Sequence, residues 1–167
     1  TTAPDLVDYY MPENGVYHNL ILAKINTFYP GHASQMMHAF WGVGQMSFVK
    51  HAIFVNSDAP KLTSHDEIIR YILNRINVDD ILVSRGATDH LDHASPKFAV
   101  GGKLGLDCTG DEIDELGITL LEDSELLSKM KNISSDIKGL KQYYKDTKNP
   151  VCVISVDKTR SQKYLFK

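Results

Sequence analysis

Three short apolar runs, spaced by helical patterns, constrain this chain more than any other feature. Leu20–Ile25, His51–Asn56 and Asp80–Ser84 are the runs. The first is apolar at nearly every position, which predicts a strand buried on both faces. After it, Pro30-Gly31 closes a turn, and a helix is predicted from Gly31 or His32 to about Gln45. Met36, Phe40 and Val43 recur at i, i+4, i+7, with Met37 and Trp41 as an adjacent row. So wide an apolar arc predicts a largely buried helix. A narrow stripe of Ser34, His38, Gly42 and Gln45 breaks it, and His38 is expected as a hydrogen-bonded core histidine. The second helix opens with Ser64-His-Asp-Glu67, a capping-box pattern, and continues with Ile68, Ile69, Ile72, Leu73 and Ile76. The order β-α-β-α-β predicts parallel pairing through right-handed crossovers.

The rest of the chain reads differently. Residues 85–111 hold Gly86, Pro96, Gly101, Gly102, Gly105 and Gly110, with few periodic apolar positions. A loop of that length is uncommon unless it is functional or packed on a partner. From Asp123 to about Lys148, Leu126, Met130, Ile133, Ile137, Leu140 and Tyr144 follow the seam spacing of a helix pair, which predicts one long amphipathic helix. Asn149-Pro150 would stop it, and Val151–Val156 is expected as a further buried strand. The fold class is therefore α/β: a layered sandwich with a mixed, mainly parallel sheet, plus the long helix. Residues 1–150 are expected to form the domain, with 151–167 opening a further β-α segment. Ser161–Lys167 reads as the start of an amphipathic helix, and Thr1–Leu6 carries no targeting pattern. The sequence is expected to be a piece of a longer chain at both ends.

Charge and cysteine count exclude some classes. The net charge of −3 offers no basic footprint for nucleic acid or an anionic membrane. No apolar run approaches the ~20 residues that a membrane-spanning helix needs. Two cysteines, Cys108 and Cys152, are too few for a disulfide scaffold and suit reduced thiols in a cytoplasmic protein.

Two segments could carry chemistry. Asp89-His-Leu-Asp-His93 places two histidines among carboxylates and could bind Zn²⁺ or Mn²⁺, but the spacing is loose; a polar loop at a strand end is the competing reading. Ala99–Gly105 resembles a phosphate loop, yet has Lys97 where that motif needs Gly and Leu104 where it needs Ser or Thr. Its backbone amides and Lys103 could still meet a phosphate. Cys108 has no histidine nearby in sequence to make it a thiolate.

Several segments together resemble one family. Tyr10–Gly15, Tyr29-Pro-Gly-His-Ala33, Met37–Met46, Leu91–Pro96 and Gly102–Thr109, in this order, are similar to the C-terminal part of the UbiD family of non-oxidative decarboxylases. The resemblance covers about Tyr9–Thr109 closely, and the chain after Thr109 looks like the longer, quinone-pathway branch. It implies an aromatic acid substrate, a prenylated flavin mononucleotide made by a separate flavin prenyltransferase, Mn²⁺ and K⁺ at the cofactor phosphate, and a homo-oligomer. It also implies that the Glu–Arg–Glu catalytic set lies upstream: Glu13, Glu67 and Glu122 are not in its context. This fragment would form and gate one wall of the cleft and be inactive alone, with no catalytic residue and no metal ligand of its own. Asp89, Asp92, Ser95, Lys103, Asp107 and His38 are the expected cofactor-binding or cleft-lining residues. The competing reading is a non-enzymatic oligomerisation module that uses the Leu126–Tyr144 seam.

Overall fold

The structure, a computed structural model, describes residues 3–114 and 119–157. The helix start expected at Ser161–Lys167 lies outside the described residues. Contacts divide the chain into two compact units, Thr1–Ile113 and Asp114–Lys167. The boundary expected at 150 instead falls between two paired strands of the second unit.

In the first unit, β1 (Leu6–Tyr10), β2 (Leu20–Ile25), β3 (His51–Asn56), β4 (Ile81–Ala87) and β5 (Val100–Cys108) form one sheet in the order β1-β2-β3-β5-β4. The β2–β3 and β3–β5 pairs are parallel, whereas β1 and β4 close the edges antiparallel. Two helices, α1 (His32–Gly42) and α2 (His65–Leu73), complete the unit. Alternation along the strands decides the layers. Ile21, Ala23, Ile25, Ala52 and Phe54 join Ala33, Met36, Met37 and Phe40 of α1 in one core. Leu22, Val55 and Cys108 join Ile68 and Ile72 of α2 in the other. The central strands are buried on both faces, as their sequence predicts, between a helix on each side. Phe54 is fully buried, and its ring meets Phe40 at 5.4 Å and 56°. Burying one such side chain contributes roughly 1.5–3 kcal/mol.

Four expectations need correction. The run at Asp80–Ser84 is not a third parallel strand beside β3. It enters edge strand β4, and β5 inserts between β3 and β4. The Gly-rich stretch is therefore not one loop: residues 85–87 and 100–108 are strand, and 88–99 is the loop that joins them. At two of its glycines, Gly101 and Gly105, neighbours press on the backbone. A Cβ on Gly105 would collide with the Met37 sulfur, and one on Gly101 would stand 2.5 Å from Ser95 Oγ and 2.7 Å from Thr88 Cγ2.

The long helix is not formed. Helix α3 spans Asp123–Ile133, and Ile137–Tyr143 is strand β6. Ser134, Ser135 and Asp136 break the periodic row, since short polar side chains compete for backbone hydrogen bonds. Ser134 Oγ accepts from the Asp136 amide at 3.3 Å. The second unit is thus α3 packed on a hairpin of β6 and β7 (Val151–Val156). Gln142 ties the two together by donating to Leu121 O and Asp123 Oδ1, both at 2.8 Å. β7 is a strand as expected, but it is exposed rather than buried.

Two smaller differences concern helix ends. α1 stops at Gly42, because Val43 is extended and Gly44 takes φ +60° into a short 3-10 turn over Gly44–Phe48. α2 begins at Ser64 as expected, but the Ser64 hydroxyl makes no capping bond; its carbonyl accepts from the Ile68 amide at 3.0 Å.

The Met37–Gly105 contact gives a test. Gly105→Ala should cost about 1–3 kcal/mol through overpacking. Urea unfolding followed by the fluorescence of Trp41, the sole tryptophan and a neighbour of this core, would measure it. Gly102→Ala, whose Cβ meets open space, should stay within ~0.5 kcal/mol.

Candidate functional site

The polar chemistry of the first unit gathers at the two ends of the parallel strands. At the starting ends, the segment 88–99 that joins β4 to β5 folds back over the residues preceding β2 and β3. Lys50 Nζ donates to Asp92 Oδ2 at 2.8 Å, and Ser95 Oγ donates to the same oxygen at 2.5 Å. Ser95 also reaches Thr88 Oγ1 at 3.3 Å. His18 Nδ1 lies 2.8 Å from Asp89 Oδ2, and the two Asp side chains each turn the loop by accepting an amide two residues on, from Leu91 and Ala94. Lys50 and Ser95, in that order, hold the Asp92 carboxyl down to about 2. The Asp89 carboxyl is held below the usual carboxylate range by the Leu91 amide first and His18 second.

Lys103 lies beneath this loop on β5. It is only 2% exposed, and its ammonium donates to Ser47 O at 2.6 Å and Val49 O at 2.7 Å. Burial first, then Lys50, lower its pKa to about 8. The two carbonyls belong to the chain that leads into β3, so the lysine fastens β5 to that connection. Beside the loop is a hollow of about 180 Å³ lined by Val16, His18, Asn19, Asp89, Leu91 and Asp92. Val16 and Tyr17 adopt φ of 49° and 52°, conformations that cost a β-branched or bulky residue strain.

The finishing ends of β2, β3 and β5 open on a second crevice, of about 420 Å³. It lies where ligands bind in open α/β sheets, outside the carboxyl ends of parallel strands. Thr27, Gly31, Asp80, Asp107, Thr109 and Asp111 are among the residues that line it. Thr27 donates to Asn56 Oδ1 at 2.8 Å, and Asn56 donates to Thr109 O at 2.5 Å. Asp107 accepts the Thr109 amide at 3.0 Å and its hydroxyl at 2.6 Å. Burial, then Asp107, then Asp79 raise the pKa of Asp80.

The expected site residues therefore divide. Asp89, Asp92, Ser95 and Lys103 converge at the starting ends. Asp107 sits four residues beyond Lys103 on the same strand, about 13 Å away along it. His38 is exposed on α1 rather than a core histidine, and joins neither group. Lys50, His18 and Thr88 had no signal in spacing, because each acts across more than 40 residues or through a backbone turn. Lys50 carried one faint cue: it is the charged residue between apolar Val49 and the strand at His51. Cys108 is buried, and burial first, with Asp107 and Asp80, pushes its thiol up to about 12, so it stays protonated. Among the described residues, no three His, Cys, Asp or Glu side chains converge on one point.

This architecture has close relatives. Residues 1–108 match the model of the 3-octaprenyl-4-hydroxybenzoate carboxy-lyase C-terminal domain, so the chain belongs to the UbiD family of carboxy-lyases. A protein of Helicobacter pylori (strain J99) is 60% identical over 95% of this chain and 26% of its own length. The chain spans about a quarter of the length of the curated relatives it matches. Among solved structures, the UbiD-class enzyme HmfF of Pelotomaculum thermopropionicum, in complex with FMN, has TM-score 0.57 at 17% identity, over 78% of this chain and 29% of that one. The closed form of the Sedimentibacter hydroxybenzoicus vanillic acid decarboxylase has TM-score 0.58 at 14% identity, over 79% and 29%. At those identities the likeness is one of fold.

The residues present do not fit a flavin phosphate. The larger crevice is lined by three aspartates and no lysine or arginine, which repels an anion. At the other end Lys50 and Lys103 are committed to Asp92 and to backbone carbonyls.

Two substitutions read out these ends. Asp92→Asn should destabilise the unit by about 1–3 kcal/mol, since it weakens two charge-assisted hydrogen bonds. Because the Asp92 pKa is lowered to about 2, its contribution is full above the ordinary carboxylate pKa and lost as pH falls through about 2. The gap between wild type and variant in urea midpoint should thus close between pH 4 and pH 2. Asp80→Asn should act in the opposite sense. Its raised pKa means that the ionised form costs stability, so removing the charge should raise the urea midpoint at pH 7 and do less at pH 4.

Proposed function

We propose that the full-length protein is a prenylated-FMN-dependent, non-oxidative decarboxylase of aromatic acids in quinone biosynthesis, acting in the cytoplasm as a homo-oligomer. On this reading a flavin prenyltransferase supplies the cofactor, and Mn²⁺ and K⁺ accompany its phosphate. The cofactor and the Glu–Arg–Glu set belong to the part of the protein outside this sequence, in keeping with the poor fit of a phosphate to the groups present here. The observation that carries the reading is the match of residues 1–108 to the carboxy-lyase domain model.

The role of this domain is to form and gate one wall of the cleft. Segment 88–99 suits that role. It is a surface loop, yet Lys50–Asp92–Ser95 and His18–Asp89 fasten it to the strands beneath. A loop so fastened presents Asp89, Leu91 and Phe98 in fixed positions while its tip remains accessible. The competing reading is an oligomerisation module built on Leu126–Tyr144; it no longer rests on one helical seam, because Ile137–Tyr143 is strand.

The test uses the full-length chain, co-produced with a flavin prenyltransferase without oxygen. Its bound-flavin spectrum and its CO₂ release from hydroxylated aromatic acids are recorded. A bound flavin with CO₂ release is the expected result, and deletion of residues 1–113 should abolish turnover. Asp92→Asn, which loosens the loop, should lower kcat/KM by ~10-fold, about 1.4 kcal/mol. Absence of flavin, with metal and activation controls in place, would overturn the assignment. Turnover that survives the deletion would remove the gating role.

A further inference from the structure

Among the described residues, every edge strand except one carries a charge. β1 holds Asp8 and a register shift between Leu6 and Asp8. β4 holds Arg85, and β6 holds Lys138 and Lys141. Such charges and irregularities are how natural proteins keep a sheet edge from recruiting another strand. β7 has none: it reads Val-Cys-Val-Ile-Ser-Val, without charge, Pro or Gly. Among the described residues β6 is its one paired neighbour, and its other edge pairs with none of them. Its faces are open too. Val153 is 54% exposed, Ile154 38% and Val156 41%, so neither set of alternate side chains is covered. α3 packs mainly on β6.

A six-residue uncharged strand with partly exposed faces, one edge of which pairs with none of the described residues, is a template for strand addition. A two-stranded sheet needs further strands or a packed helix for stability; here α3 supplies the helix through β6, and β7 is the strand with less support.

We propose that β7 is an interior strand of the full-length protein, and that a further strand of the same polypeptide, from outside this sequence, pairs with its open edge. The occupant is argued from length and identity. Relatives 60% identical across nearly all of this chain are about four times as long, so the protein has ample polypeptide to supply it. A segment of the same chain arrives at high effective concentration, which a second molecule does not. The uncharged edge also lacks the protection that a strand exposed in the finished protein would need. The inference rests on the chain being part of a longer protein and is independent of its chemistry.

Hydrogen exchange on the full-length protein tests it, with peptides resolved over Val151–Val156 and the protein diluted until its size no longer changes. The expected result is that all the amides of β7, including those facing away from β6, exchange at least 100-fold more slowly than in an unstructured peptide, even in the smallest species. Native Cys152 should also be modified by iodoacetamide at least 10-fold more slowly than in urea, although it is exposed here. Buried Cys108 serves as the unreactive control. Unprotected outward amides, or a Cys152 that reacts as a free thiol, would overturn the proposal. Protection that appears only as the protein oligomerises would overturn it in favour of a second copy. None of these readouts needs turnover, so an inactive protein with a protected β7 would lose the decarboxylase assignment and keep this one.

Discussion

The sulfur of Met37 rests against the backbone of β5 where Gly105 has no side chain, and the layer above the sheet depends on that contact. It sets how closely α1 can approach. With α1 that close, Met36 and Phe40 reach the central strands. Interiors packed at crystal-like density tolerate little error, so a single missing Cβ fixes the position of a whole helix. The opposite layer is simpler. There, Ile68 and Ile72 meet Leu22, Val55 and Cys108 without any special clearance.

The parts of the fold that were legible are those whose signal is local. Leu20–Ile25 and His51–Asn56 declare themselves by apolar content, and α2 by the spacing of its isoleucines. Strand β5 is illegible because Gly105 answers to Met37, distant in sequence, and Gly101 to Ser95 and Thr88 across a turn. Read alone, Gly101, Gly102 and Gly105 look like a loop. The expected long helix fails for the opposite reason. Its periodic row runs through Ser134, Ser135 and Asp136, and those residues favour local side-chain hydrogen bonds over helix. The site was legible in half. Asp89, Asp92, Ser95 and Lys103 do come together, but their partners Lys50 and His18 come from other elements. Asp107 belongs to the opposite end, which a linear motif cannot reveal.

The electrostatics of the sheet's two ends differ in kind. At the starting ends both carboxylates of the loop have a partner, and the result is a clamp. Lys103 is the extreme case: a buried cation held by two carbonyls and paid for by lowered basicity. At the finishing ends Asp80, Asp107 and Asp111 share one crevice, and burial first, then Asp107, raises the pKa of Asp80. One end is organised for rigidity. The other stores repulsion that a cation or a hydrogen-bond donor would relieve.

The sheet order has a further consequence, for how the protein is made. β5 is the last strand of the unit in sequence, yet it stands between β3 and β4. Until it arrives, β4 has no neighbour to pair with and β3 has a bare side. A growing chain therefore cannot close this sheet before Cys108 has left the ribosome. Contacts between distant parts of a sequence form slowly, because their loop entropy is lost before they are made. For that interval Val55 and Phe54 would lie at an open edge, so nascent chains of this unit should depend on chaperones until their final strand emerges.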